Sequence, residues 1–251
     1  MDDAQLLRYS RHILLPELGP DAQDRFAKAH ALIVGMGGLG APAAQFLAAA
    51  GVGTIAICDA DHVDLTNLQR QILYATDDIG ANKVDAAAQR LAAVNPTVRI
   101  ERFATRVGAD ELALLVTDAD IVLDCTDNFA TRHAINAACV NAGKPLVSGA
   151  ALRFDGQIAV FDPRDATSPC YRCLFGEGEE LEETRCATMG VFAPLVGIVG
   201  STQAAEALKL IAGIGESLAG RLLLIDALTM QWRELRVPRD PACPVCARRP
   251  A

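Results

Sequence analysis

Positive charge is in short supply in this 251-residue sequence, and no long hydrophobic run occurs. Acidic residues outnumber basic ones by 31 to 23, for a formal net charge of -8. Phosphate backbones are held by basic surfaces, so this balance argues against a nucleic-acid partner, while it permits a basic or neutral protein partner. The longest apolar run, Met189 to Gly200, is far short of the roughly 20 residues that span a bilayer, and no membrane partner is expected. Met1 is followed by Asp2 and Asp3 rather than by the pattern of a signal peptide, which points to the cytoplasm. Histidine is scarce. His12, His30, His62 and His133 show no ligand spacing, and each reads as a surface or capping residue. Internal repeats and Pro/Gly/Ser linkers are absent as well. What remains is ordinary globular composition, 51% hydrophobic and 22% charged, in a chain long enough to bury a full core as one large domain or two.

Short apolar runs alternate with alanine-rich helical segments through residue 145. Ala31–Val34, Thr54–Cys58, Val98–Phe103 and Ile121–Cys125 read as strands. Helices are predicted near 39–50, 81–93, 109–116 and 128–141, with stop signals at Gly51, Pro96 and Gly143. Before them, residues 4–18 carry Leu6, Leu7, Ile13 and Leu14 between arginines and predict one short amphipathic helix. After Pro145 the character changes to two hairpins, near 147–160 and 221–237, separated by a long helix of about 196–212. The predicted fold is α/β: a doubly wound, Rossmann-like, mostly parallel sheet, extended by antiparallel C-terminal strands. One domain is expected, with a helical arm at 1–20, a nucleotide-binding half at 30–150 and an antiparallel half at 151–251.

Gly35-Met-Gly-Gly-Leu-Gly40 lies between a predicted strand and helix, the context in which backbone N–H groups approach phosphates. Asp59 ends the second strand about 20 residues on, where a carboxylate can accept from ribose hydroxyls. These two features alone indicate an NAD(P)-dependent oxidoreductase. Thr66-Asn67-Leu-Gln69-Arg70 and Lys83 argue against it, since amides and two cations beyond the ribose carboxylate suit the denser charge of a triphosphate such as ATP. Asp127 and Asn128 close a later strand at the ligand edge, where the carboxylate could hold Mg²⁺; alternatively the pair simply caps the next helix.

Eight cysteines are present. Cys170-x-x-Cys173 and Cys243-x-x-Cys246 form two matched knuckles whose four thiolates would make a closed, structural zinc site; a redox dithiol competes for either pair alone. Cys58, Cys125 and Cys139 fall on apolar faces and read as inert core. Cys186 follows the acidic stretch 177–185 and stands beside Arg185, so it is either a nucleophile accepting an activated acyl group or sulfur, or an ordinary loop cysteine.

Together, Arg8-Tyr-Ser-Arg11, the glycine turn, Asn67-Leu-Gln-Arg-Gln71, Asp124-Cys-Thr-Asp-Asn128 and the paired knuckles resemble the MoeB/ThiF family, relatives of the adenylation domains of ubiquitin-activating enzymes. The resemblance implies that ATP adenylates the C-terminal glycine of a small ubiquitin-like sulfur-carrier protein ending in Gly-Gly. It implies a nucleotide contact at Gly38, a ribose ligand in Asp59, phosphate contacts in Asn67, Arg70 and Lys83, and a Mg²⁺-associated carboxylate in Asp127. Arg11 resembles an arginine that reaches the partner's ATP, which implies a homodimer, and Cys186 matches a position that some members link covalently to the carrier. Residues 145–151 and 156–157 look like the molybdopterin branch, 231–233 and 243–246 like the thiamine branch. No rhodanese segment follows Cys246, so a separate sulfur donor is expected. A zinc-stabilised module without enzymatic activity is the remaining alternative.

Overall fold

In the computed structural model, which describes residues 1–176 and 189–247, the alternating runs of the first half become a parallel sheet. Its strands are β1 (His30–Val34), β2 (Thr54–Cys58), β3 (Arg99–Phe103), β4 (Ile121–Asp124) and β5 (Leu146–Leu152). The second half adds β6 (Asp155–Phe161), β7 (Arg221–Asp226) and β8 (Gln231–Arg236). The order is β3-β2-β1-β4-β5-β6-β7-β8, parallel through β5 and antiparallel beyond it. The expected antiparallel extension is therefore a continuation of one sheet.

β1 and β4 are almost wholly buried, as their unbroken apolar sequences require of strands covered on both faces. Val34 pairs with Cys58 on one side and Asp124 on the other, so the carboxyl ends of β1, β2 and β4 finish level. That register brings three loops to one edge. The helices between are α4 (Gly40–Ala50), α5 (Lys83–Val94), α6 (Ala109–Asp118) and α7 (Phe129–Ala142). α4 and α7 stop where Gly51 and Gly143 turn left-handed, at φ 84° and 67°.

The N-terminal arm differs from the single helix expected. It is split into α1 (Asp3–Arg8) and α2 (Ser10–Ile13) at Tyr9, and a third helix, α3 (Gly19–Lys28), follows. Tyr9 is buried and its hydroxyl accepts from Asn95 Nδ2 at 2.8 Å, a tertiary anchor that interrupts the helix. Pro20 in the first turn of α3, with Ala22 and Phe26 packed against Ala212, was the available signal for the third.

A four-residue turn of helix, α8 (Tyr171–Leu174), starts directly after Cys170 and carries Cys173, and α9 runs from Ala193 to Ala212. The long helix expected near 196–212 thus begins at Ala193 and spans 20 residues, long and apolar enough to cross a membrane by length and composition. It lies in the core instead: Leu195, Val199, Ala204 and Ala207 are fully buried. Its buried Gln203 donates to the carbonyls of Asp124 at 2.8 Å and Val147 at 3.1 Å. α9 crosses α4 at Gly200, where a Cβ would stand 2.2 Å from the Leu39 carbonyl oxygen.

Candidate nucleotide site and a four-thiol cluster

The chain leaves β1 through Gly35, whose φ of 93° and close approach to the Cys125 carbonyl, 2.6 Å from a would-be Cβ, admit no side chain. Gly40 is closed to substitution too, since a Cβ there would lie 1.9 Å from Gly35 O. Gly38 abuts Val196 of α9, so its missing side chain serves helix packing as well as any ligand. Gly37 is the open position, with only Gln71 Nε2 at 3.5 Å from a would-be Cβ.

Asp59, at the end of β2, reaches this turn directly. One carboxylate oxygen accepts from Met36 N at 2.7 Å, and the other from Asp61 N at 2.8 Å. Tyr74 Oη donates to the Met36 carbonyl at 2.7 Å, so both polar groups of the Met36 residue are held. Lys83 is buried at the start of α5, with Nζ 2.8 Å from Asp61 and 3.9 Å from Asp59. Burial pushes the Asp59 carboxyl above the ordinary carboxylate range, while Lys83 and the two backbone donors pull it down without cancelling the rise. Glycine turn, Asp59 and Lys83 therefore form one contiguous group.

The segment 66–70 begins on a 3₁₀ turn, Leu65–Asn67, capped by Asp64, which accepts from Thr66 N at 2.8 Å. Asn67 is half-buried, its carbonyl accepting from the amides of Arg70 and Gln71. Arg70 is half-buried and donates to Thr66 O at 3.1 Å, while Gln69 is exposed. Gln71 is buried against the glycine turn, and its Oε1 has no hydrogen-bond partner among the described residues.

Buried Asp124 shapes the loop after β4: its carboxylate accepts from Thr126 N, Thr126 Oγ1 and Ser148 Oγ. Arg132, largely buried on α7, donates to Thr126 O at 2.6 Å. Asp127 is thereby presented as an exposed carboxylate at the loop's tip. Asn128 is the N-cap of α7, accepting from Thr131 N at 2.9 Å, so the capping alternative holds for that residue. Arg11 is exposed on α2 and makes no hydrogen bond or ion pair to the Asp59–Lys83 group among the described residues. Cys186 and the acidic stretch lie outside the described residues.

The four knuckle thiols converge. Their Sγ atoms all lie within 4.8 Å of one another, with Cys170–Cys173 at 3.9 Å, Cys170–Cys243 at 3.7 Å and Cys173–Cys246 at 3.4 Å. Four sulfurs at Zn–S of about 2.3 Å in a tetrahedron stand roughly 3.8 Å apart, so the donor set and its spacing fit zinc. Cys58, Cys125 and Cys139 are buried free thiols; burial pushes Cys58 up to about 12 and the other two higher, as inert core residues require.

Asp61, Gln71, Tyr74 and Arg132 escaped the sequence reading. Gln71 stood inside a quoted motif and Asp61 two residues beyond Asp59, but nothing in sequence links Tyr74 or Arg132 to the turns they hold.

Comparison with known proteins places the geometry in context. The ThiF family matches residues 9–245. The chain is 47% identical to the sulfur carrier protein ThiS adenylyltransferase of Escherichia coli, over 98% of this chain and 97% of that one. It is 45% identical to the E. coli molybdopterin-synthase adenylyltransferase, over 98% of each. Among solved structures, E. coli MccB with ATP superposes with a TM-score of 0.83 at 26% identity, over 95% of this chain and 73% of that one.

Proposed function

This chain belongs to the ThiF family, and we propose that it uses ATP and Mg²⁺ to adenylate the C-terminal glycine of a small ubiquitin-like sulfur carrier, of the molybdopterin or thiamine pathway or both. The observation that carries the reading is the contiguous group of an open glycine turn, a ribose-type carboxylate and a buried lysine. A ionised carboxylate offers about four acceptor sites, so Asp59 can hold the turn and still accept from ribose hydroxyls.

In the reaction the carrier's terminal carboxylate attacks the α-phosphorus, the bond to the bridging oxygen of the β-phosphate breaks, and pyrophosphate leaves. The attacking carboxylate is already ionised at neutral pH, so no general base is needed. Positioning two anions and neutralising their charge is the whole task. Gly37 and Gly38 let the backbone approach the phosphates, Asn67 and Arg70 donate to phosphate oxygens, and Gln69 lines the entrance. Lys83 brings three donors on one ammonium, of which Asp61 takes one at hydrogen-bond distance. Asp127 would hold Mg²⁺, whose charge screens the phosphate oxygens. Asn128 fixes the end of α7 beside it.

A homodimer fits the exposed apolar face of the N-terminal arm, where Leu7 is 78% and Leu14 70% exposed. Arg11 of the partner subunit would then enter each site. Docking of a protein carrier suits the apolar rim at the antiparallel end, where Phe154 packs on Phe192 at 5.2 Å beside exposed Leu228 and Met230. Sulfur would come from a separate donor, zinc would tie the two knuckles, Cys186 would be the thiol available for a covalent step, and the enzyme would work in the cytoplasm. Carrier-dependent ATP–pyrophosphate exchange tests the reading: exchange with either carrier class supports it, and none with both, in the presence of Mg²⁺, removes it.

A further inference from the structure

One face of α7 connects the two halves of the site. Arg132, Asn136 and Val140 follow at four-residue spacing and so lie on one stripe. Arg132 holds the Thr126 carbonyl next to Asp127, and Val140 packs on the thiol cluster. Between them Asn136, 1% exposed, has both ends of its carboxamide engaged by the knuckle. Its Oδ1 accepts from Tyr171 N at 2.9 Å, and its Nδ2 donates to Cys170 Sγ at 3.6 Å. A buried amide in this position has no packing reason to be polar, because Ile135 and Cys139 beside it are apolar and equally buried. Its polarity answers the sulfur and the peptide N–H. A thiolate that ligates a metal keeps lone pairs for a second donor, and such outer partners orient the ligand and tune the metal's hold.

We propose that Asn136 is the positioning residue of the zinc knuckle: it donates to the Cys170 thiolate, fixes the Tyr171 amide, and makes metal retention depend on the helix that carries the aspartate loop. The proposal rests on the four thiols holding zinc. It gives α7 two tasks, capping the loop at one end and buttressing the metal at the other.

Asn136→Asp separates the two bonds, since an ionised carboxylate still accepts from Tyr171 N but cannot donate to sulfur. Zinc-loaded full-length protein is mixed with an excess of a chromogenic chelator and the release rate recorded. Release about 10–100-fold faster than wild type is expected, the usual loss on removing an outer-shell partner. In cobalt-substituted protein the sulfur-to-metal charge-transfer band should also move, which a purely structural role would not cause. Asn136→Ser, shortened away from the sulfur, should release as fast and stands in should the aspartate variant not fold. If wild type carries zinc and the folded variants release it at the wild-type rate with an unmoved cobalt band, the assignment is overturned. If wild type carries no zinc, the zinc reading itself fails and the proposal with it.

Discussion

Lys83 Nζ lies 2.8 Å from Asp61 and 3.9 Å from Asp59, so the one buried lysine of the candidate site is held against the carboxylate that also binds the glycine turn. Cation, carboxylate and turn are thus a single unit. Replacing Lys83 with Ala should lower carrier-dependent exchange by ~10²–10³, the usual cost of removing one charge-stabilising group. Steady-state exchange assays check this, and a rate within threefold of wild type would sink the role.

Gly37 and Gly40 separate ligand approach from backbone closure. Gly37→Ala meets only a side-chain amide at ordinary contact distance, so the variant should melt like wild type yet bind ATP at least ~10-fold more weakly. Gly40→Ala drives a methyl to within 1.9 Å of a backbone oxygen and should lose stability by roughly 1–3 kcal/mol or more, as overpacked sites do. Thermal melts and ATP titrations of the pair give the comparison. Equal stability of the two variants contradicts it.

Tyr74→Phe leaves the buried Met36 carbonyl without its donor. A cost of about 1–3 kcal/mol in denaturant unfolding is expected, with KM for ATP raised more than kcat is lowered, because the hydroxyl acts on the turn and not on the reacting atoms. An unchanged KM would disconnect Tyr74 from nucleotide binding.

Asp59 carries a pH signature. Its folded pKa lies above the ordinary value because burial disfavours the charged form. For a carboxyl shifted upward, stability is fully present below the unfolded pKa and is lost as pH rises through the folded one. Asp59→Asn removes that loss, so its stability relative to wild type should climb as pH is raised from about 4 towards neutrality, while exchange activity disappears. A stability difference that stays flat across this range would show that the hydrogen bonds to Met36 and Asp61 offset the burial.

Replacing the thiols offers the last test. Cys170→Ser and Cys243→Ser should each abolish stoichiometric zinc by elemental analysis and lower the melting temperature, since a structural metal contributes its binding free energy to folding. Retention of a full zinc in either variant would show that the ligand set is different.

The parallel core was readable because strands covered on both faces must be apolar throughout, and Ala31–Val34 and Ile121–Leu123 are. Gly51 and Gly143 marked helix ends for an equally local reason, a left-handed backbone that side chains resist. The paired cysteines were visible because metal chemistry prescribes residue type and spacing within each knuckle. The single helix expected over residues 4–18 failed where local periodicity met a distant partner, Asn95, which holds Tyr9 and breaks the helix.

By itself, then, the sequence determined the class of fold, the glycine turn and the donor set of the four-thiol cluster, all consequences of steric and coordination rules acting within a few residues. Only the tertiary structure decided that Tyr74 clamps Met36, that Lys83 faces Asp61 and that Asn136 touches Cys170. Those contacts join residues 22 to 38 positions apart, and their geometry depends on strand register and helix packing, quantities that no local pattern encodes.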